Sequence, residues 1–135
     1  MAGFEFAYTL SGAAKKREKF VAKSGDVFSA GELVVLDTGE AAVGATGGVF
    51  LGICAADVDN TNDGEYVYVY TNPDVVMRVT DANTRTINDA LDVATGGMGV
   101  TTKSNDDLKV VRSSTASEPT HVMFNNTHFY QAATT

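Results

Sequence analysis

The sequence has few of the residues that staple or activate small proteins. Among its 135 residues are one cysteine, two histidines, two prolines and no tryptophan. A single cysteine excludes a disulfide within the chain. Cys54 lies in the apolar run GVFLGICAAD, which predicts a buried and unreactive thiol. His121 and His128 have neither a cysteine-rich nor an H-E-x-x-H context, so we predict no metal site.

Long apolar segments and catalytic motifs are missing as well. No run approaches the roughly 18 apolar residues of a membrane-spanning helix. The N-terminal residues lack the order of a signal peptide, so we expect synthesis in the cytoplasm and no membrane partner. G-x-S-x-G, P-loop and G-x-G-x-x-G motifs do not occur, and Gly96-Gly97-Met98-Gly99 lacks the lysine and hydroxyl that hold phosphates. We predict a protein that is not an enzyme and uses no cofactor.

Basic residues are scarce except near the start of the chain. The net charge is −7; residues 1–23 carry five basic and two acidic side chains, and residues 24–135 carry five basic and fifteen acidic ones. The acidic body argues against a nucleic-acid partner. The basic cluster at residues 15–19 has three interpretations: a solvated flexible segment, a docking site for an acidic protein surface such as a neighbouring copy, or a contact with nucleic acid.

Short apolar runs separated by turns fill the rest of the sequence. Thirteen glycines and turn sequences such as Ser24-Gly25-Asp26 and Thr38-Gly39-Glu40 divide residues 18–135 into strand-length pieces. The pattern predicts one mainly β domain, a small antiparallel barrel or β-tulip-like fold. In LVVL, at residues 33–36, both alternating faces are apolar, so we expect that strand to be buried on both sides.

Later strands are predicted from alternation. EYVYVYT and DVVMRVT are expected to be two strands joined by a hairpin or corner at Asn72-Pro73-Asp74. LKVVRS, THVMFN and THFYQ are expected to be strands near the end of the sequence. Thr86-x-x-Asp89 predicts either one short helical turn or an irregular loop.

Residues 1–17 are predicted to form an extended N-terminal arm. Aromatic residues alternate in GFEFAY, and Ser11-Gly12-Ala13-Ala14 follows as a hinge. Such a strand needs an edge supplied by another sheet, so we expect it to contact a neighbouring protein and to be dispensable for folding of the β domain. The candidate interface residues of this segment are Phe4, Phe6, Tyr8, Lys15, Lys16, Arg17 and Phe20.

The stretch DNTNDGEYVYVY, residues 59–70, begins like a calcium-binding loop. An EF-hand needs a glutamate at position 12, where this sequence has Tyr70. We therefore predict a turn at Asn62-Asp63-Gly64, because Asn, Asp and Gly tolerate left-handed backbone geometry. A weak calcium site of another type, formed by Asp57, Asp59 and Asp63, is the alternative.

Three tyrosines share one face of the strand that follows this turn. Tyr66, Tyr68 and Tyr70 alternate with two valines. Tyrosine suits both the edge of a core and a protein interface, because its ring buries apolar area and its hydroxyl stays polar. Both interpretations remain open from the sequence.

The order of motifs resembles a known family. Residues 25–36, GDVFSAGELVVL, fit the pattern G-D-x-x-x-A-G-x-L-V-x-L, and GGVFLGI follows at residues 47–53. With a short N-terminal segment before it and a strand pair after it, this order resembles the head decoration, or cement, proteins of tailed bacteriophages. The resemblance covers roughly residues 18–113.

The resemblance implies a structural protein of the virion. Proteins of this family are compact β domains, often trimers, that sit on the outer capsid surface and tie neighbouring major capsid subunits together. They have no active-site residues, and their N-terminal segment commonly contacts the capsid, which points here to residues 3–20. Two other interpretations are another virion component, such as a head-tail connector or tail-tube protein, and a carbohydrate-binding β-sandwich whose tyrosines stack on sugar.

Overall fold

The computed structural model describes residues 3–45, 47–94, 96–102, 106–125 and 127, and over these residues the chain is all β. No helix that could cross a membrane occurs in this described part. The strands are β1 (Phe4–Thr9), β2 (Arg17–Val21), β3 (Val27–Phe28), β4 (Leu33–Asp37), β5 (Glu40–Val43), β6 (Val49–Cys54), β7 (Val58–Asp59), β8 (Tyr66–Tyr70), β9 (Val75–Val79), β10 (Ala90–Val93), β11 (Val100–Thr102), β12 (Leu108–Arg112) and β13 (Thr120–Phe124).

Two larger sheets and a short ribbon make up the domain. The six-stranded sheet has the order β1-β9-β13-β12-β10-β11, the five-stranded sheet has the order β2-β8-β6-β4-β5, and β3 pairs with β7. A parallel bridge between Ala22 and Ala41 brings the ends of β2 and β5 together, so the five-stranded sheet curls back on itself. The predicted mainly β, barrel-like antiparallel domain is confirmed.

The main core fills the space between the two larger sheets. Val75, Met77 and Val79 of β9 all point into it, as their alternation predicts. The five-stranded sheet contributes residues of β4, β5 and β6 to the same core. The buried residues of the main core are Phe4, Leu33, Val35, Ala42, Phe50, Ile53, Val75, Met77, Val79, Leu91, Val93, Leu108, Val110, Val122 and Phe124.

A second core lies on the other face of the five-stranded sheet. Leu33 and Val35 face the main core while Val34 faces the second one, so β4 is buried on both sides as predicted. Cys54 is buried here, and burial raises the pKa of its thiol to about 11, which keeps it protonated at neutral pH. The buried residues of the second core are Ala22, Phe28, Val34, Ala41, Leu51, Cys54, Val67 and Val69.

The N-terminal segment is a strand of this domain and not an extended arm. β1 pairs antiparallel with β9 of the same chain, with Phe4 opposite Val79. Phe4 is only 3% exposed and belongs to the main core. Alternation correctly indicated a strand, but β9 supplies the edge within the chain itself. The predicted arm is corrected on this point for residues 4–9.

The Asn72-Pro73-Asp74 segment is the corner between the two sheets, because β8 and β9 belong to different ones. The link from β1 to β2 runs beside it and is pinned to it. The Asn72 amide accepts a hydrogen bond from Lys16 N–H at 2.8 Å and donates one to the Ala14 carbonyl at 3.0 Å. The Asp74 carboxylate accepts one from Ser11 N–H at 2.8 Å. The segment predicted as a hinge, residues 11–14, is therefore held to the corner by hydrogen bonds.

The remaining local predictions have clear outcomes. Residues 86–89 form a turn and not a helix, closed by a hydrogen bond from Asp89 N–H to the Thr86 carbonyl at 3.0 Å. LKVVRS and THVMFN correspond to β12 and β13. The strand predicted from THFYQ lies outside the described residues except for Thr127, which forms a parallel bridge with Phe50.

Glu32 is a buried carboxyl where the hairpin of β10 and β11 meets β4. Leu33 N–H donates a hydrogen bond to the Gly97 carbonyl at 2.8 Å, which holds the hairpin against this strand. Glu32 is 4% exposed, and its Oε2 has no hydrogen-bond partner among the described residues. Burial, with a smaller contribution from the negative charge of Asp26, raises the pKa of Glu32 to about 7.

The free energy of unfolding is therefore expected to fall as the pH rises through the Glu32 titration. The pKa of Glu32 is about 7 in the folded state and 4.5 when unperturbed, so folding favours the protonated carboxyl. The stability that this preference gives is fully present below pH 4.5 and is lost as the pH rises to about 7. Glu32→Gln should remove this dependence, which amounts to about 3 kcal/mol between pH 4.5 and pH 8. Urea unfolding at the two pH values measures it, with exposed Glu65→Gln as the control. Equal pH dependence in wild type and Glu32→Gln would contradict the assignment.

Candidate interaction surfaces

The first candidate surface lies on the strand pair β2 and β8. The two strands are antiparallel, with Arg17 opposite Tyr70 and Lys19 opposite Tyr68. Opposite residues of an antiparallel pair point to the same side of the sheet. The basic residues and the tyrosines, which lie about 50 positions apart in the sequence, therefore share one surface. We call residues Lys15, Arg17, Lys19, Tyr66, Tyr68 and Tyr70 the basic–tyrosine face.

Each cation of this face lies over an aromatic ring. The Arg17 guanidinium carbon is 5.1 Å from the centre of the Tyr68 ring, and Lys19 Nζ is 4.6 Å from that of Tyr66. Lys15 Nζ is 5.1 Å from the centre of the Tyr70 ring. All three distances are within the range of cation–π attraction, which holds the charges in a row above the sheet.

The tyrosines divide between core edge and surface. Tyr70 is half-buried against the main core, where its ring meets Phe6 edge-on with centroids 5.8 Å apart. Tyr66 and Tyr68 are 49% and 40% exposed. The core-edge interpretation therefore applies to Tyr70. An interface at Tyr66 and Tyr68 stays a prediction.

The other predicted interface residues of the N-terminal segment lie in several places. Lys16 is exposed and pairs with Glu18, with 3.7 Å between Nζ and Oε1. Phe6 packs against the main core and Phe20 against the second core. Phe20 and Phe6 therefore serve mainly in packing, because both cores would lose apolar contacts without them.

A second candidate surface lies on the outer face of the six-stranded sheet. The register of β1 slips between Phe6 and Tyr8, so Ala7 is the extra residue of a β-bulge. Tyr8 consequently points outward, although unbroken alternation would place it beside Phe4 and Phe6 on the core side. We call the apolar residues of this face the Leu10 patch: Tyr8, Leu10, Ile87, Val111 and Met123.

The Leu10 patch combines exposed apolar side chains with a groove. Leu10 and Ile87 are 63% and 59% exposed. They line an open groove of about 480 Å³ together with Val111, Met123 and the stem of Lys109. Sequence reasoning missed Leu10 and Ile87, because single apolar residues beside turns give no periodic signal. Exposed apolar grooves of this kind are candidate sites for contact with a protein, a membrane or a ligand.

The turn before β8 has the left-handed backbone that its sequence predicts. Asp63 and Gly64 adopt positive φ angles of 63° and 92°. The side chain of Asn60 is fully buried and pins the turn by accepting a hydrogen bond from Glu65 N–H at 2.9 Å. We call its exposed carboxylates, Asp57, Asp59, Asp63 and Glu65, the acidic turn.

The carboxylates predicted as an alternative calcium site each have a separate hydrogen bond. Asp57 accepts one from Ala30 N–H at 2.8 Å, and Asp59 one from Thr61 N–H at 3.0 Å. Within the described part of the chain, no group of three or more His, Cys, Asp or Glu side chains is arranged to hold a metal ion. His121 lies on the outer face of the six-stranded sheet, where burial and the nearby Arg112 lower its pKa. His128 lies outside the described residues.

Comparison with solved structures shows an informative likeness. No protein-family model matches the chain, and no curated protein matches it. Among solved structures, the chain is similar to one from a bacteriophage. That structure is the N-terminal base of the head fiber protein gp8.5 of bacteriophage phi29, with a TM-score of 0.56 and 14% sequence identity over 86% of this chain and 100% of that one. At this identity the likeness establishes a shared fold.

Proposed function

We propose that the chain is a structural protein of a phage virion that binds the outer surface of the capsid and links neighbouring major capsid subunits, stabilising the expanded head. The observation that carries the proposal is the shared fold with a head fiber base, which extends over the whole of that domain. The motif order at residues 25–53, which resembles head decoration proteins, supports the same assignment. Fold likeness alone does not fix a function, so the surfaces must supply the mechanism.

The Leu10 patch is the capsid contact in this proposal. It contains two exposed residues of the N-terminal segment, Tyr8 and Leu10. The polar residues Asp74, Lys109 and Asn125 border it, as in an interface with an apolar centre and a polar rim. The basic–tyrosine face lies on the other large sheet. The capsid contact is thus assigned to the Leu10 patch alone, which leaves the basic–tyrosine face for a different contact.

Repetition makes modest contacts effective. A protein that binds only the expanded shell shifts the equilibrium toward that shell by mass action. Copies that also touch one another, as in a trimer, raise the effective concentration at each site. The mechanism needs neither a cofactor nor turnover.

One structural observation bears on the sugar-binding alternative. The cations Arg17 and Lys19 lie over the rings of Tyr68 and Tyr66, so a sugar could stack there only by displacing them or by using the opposite ring face. The head-tail connector or tail-tube alternative is distinguished by the site of binding on the particle.

Leu10→Ser is expected to weaken binding to expanded heads about tenfold, because an exposed leucine that becomes buried in an interface contributes roughly 1–2 kcal/mol. Co-sedimentation of purified protein with heads assembled without it measures the change. Val27→Ser is the matched control, since Val27 is also more than half exposed but lies in the β3–β7 ribbon. If wild-type protein does not bind heads, the proposed function is wrong. If both variants lose binding equally, the role of the Leu10 patch is wrong.

A further inference from the structure

We infer that the basic–tyrosine face binds the acidic turn of a second copy of this chain, so that copies associate head to tail. This contact between copies is separate from the capsid contact and goes beyond the proposed function. It depends on the charge of two exposed surfaces and on their positions at β8.

The basic–tyrosine face keeps its positive charge available. Lys15, Arg17 and Lys19 are exposed and lie over rings, and none of them forms an ion pair within the described part of the chain. Lys16 next to them is paired with Glu18. A tyrosine ring screens a cation less than a carboxylate does, so the row retains its attraction for an incoming acid.

The acidic turn has the complementary charge and the complementary position. Its four exposed carboxylates end at Glu65, immediately before β8. The row of cations runs along β8 from Lys19, which lies over Tyr66 beside this turn, to Lys15, which lies over Tyr70 at the opposite end of the strand. Four residue steps of β-strand separate the two ends by roughly 13 Å. A second copy displaced along β8 would therefore bring its acidic turn to the Lys15 end of this row in the first.

Charge favours this orientation over others. Each chain has a net charge of −7, and residues 24–135 carry fifteen acidic against five basic side chains, so most pairs of surfaces on two copies repel. The basic–tyrosine face presents three exposed cations in a row, and such a surface attracts an acidic neighbour. A contact between two different patches is heterologous, and it produces closed rings or open chains according to the rotation between copies.

The inference is tested by sedimentation of the purified chain without capsids, so its failure is independent of the proposed function. Wild type should form oligomers at low salt that dissociate at high salt. Arg17→Glu/Lys19→Glu and, separately, Asp63→Asn/Glu65→Lys should each weaken association at least tenfold. Asparagine at residue 63 retains the left-handed backbone. Lys109→Glu/Arg112→Glu changes the net charge as much as Arg17→Glu/Lys19→Glu does, but on the other sheet, and is the matched control for that variant.

Mixing the two defective variants completes the test. Each retains the surface that the other lacks, so an equimolar mixture should associate although neither variant does so alone. Restored association also demonstrates that both variants are folded. A wild type that stays monomeric at low salt would overturn the inference. The inference would also be overturned if the face variant associated like wild type, if the control lost association equally, or if the mixture stayed monomeric. Unchanged association of the turn variant would overturn it as well, because another acidic surface would then be the partner.

Discussion

Gly52→Ala is expected to destabilise the domain by roughly 3–5 kcal/mol, the sum of an overpacking cost and a backbone cost. A Cβ at Gly52 would lie 1.9 Å from the carbonyl oxygen of Tyr70, and the φ angle there is +150°, which residues with side chains rarely adopt. Neither atom can yield without moving β6 away from β8. Because β8 carries the tyrosines, the basic–tyrosine face should be displaced as well.

Urea unfolding measures the effect, and Gly39→Ala separates its two causes. Gly39 has a φ angle of +84°, but a Cβ there would have no atom within 4 Å. Gly39→Ala should therefore destabilise the domain only through the unfavourable backbone conformation, by about 1–2 kcal/mol. Equal destabilisation by the two substitutions would contradict the view that close approach of β6 to β8 requires a glycine at residue 52.

Phe4→Ala is expected to cost about 3–5 kcal/mol, as for other buried phenylalanines. Its ring is in the main core, and β1 covers the edge of β9. Deletion of residues 2–17 removes this ring together with the whole strand, so we expect the truncated chain to unfold. Tyr8→Ala in the same strand is the matched control; it should cost less than about 1 kcal/mol because Tyr8 faces outward.

Chemical denaturation of Phe4→Ala, Tyr8→Ala and the truncated chain tests whether β1 is needed for folding. A truncated chain that unfolds cooperatively with wild-type stability would restore the original prediction of a dispensable arm. If truncation unfolds the domain, loss of capsid binding after truncation says nothing about contact. Point substitutions such as Leu10→Ser are then the appropriate probes of the N-terminal segment.

Side-chain alternation predicted the strands well wherever a strand is regular. The alternating residues of β4, β8 and β9 lie on the expected faces, because period two depends only on local backbone geometry. The placement of β1 could not be predicted in the same way. Which edge a strand joins depends on long-range pairing, and the bulge at Ala7 depends on its register with β9.

The basic–tyrosine face was only partly predictable. Lys15, Arg17 and Lys19 occupy alternate positions, so a strand there puts them on one side, and that signal is present in the sequence. Their position beside the tyrosines was not predictable, since β2 and β8 are separated by some 45 residues of chain. The Leu10 patch gave even less signal, because it is assembled from β1, a turn and two further strands.

A cryo-electron microscopy map of mature particles, compared with particles made without this chain, tests the proposed function most directly. The proposal predicts additional β-domain density on the outer surface of the head, contacting at least two neighbouring major capsid subunits, with the Leu10 patch toward the shell. Density confined to the head-tail junction or the tail, or particles that are identical with and without the chain, would contradict it.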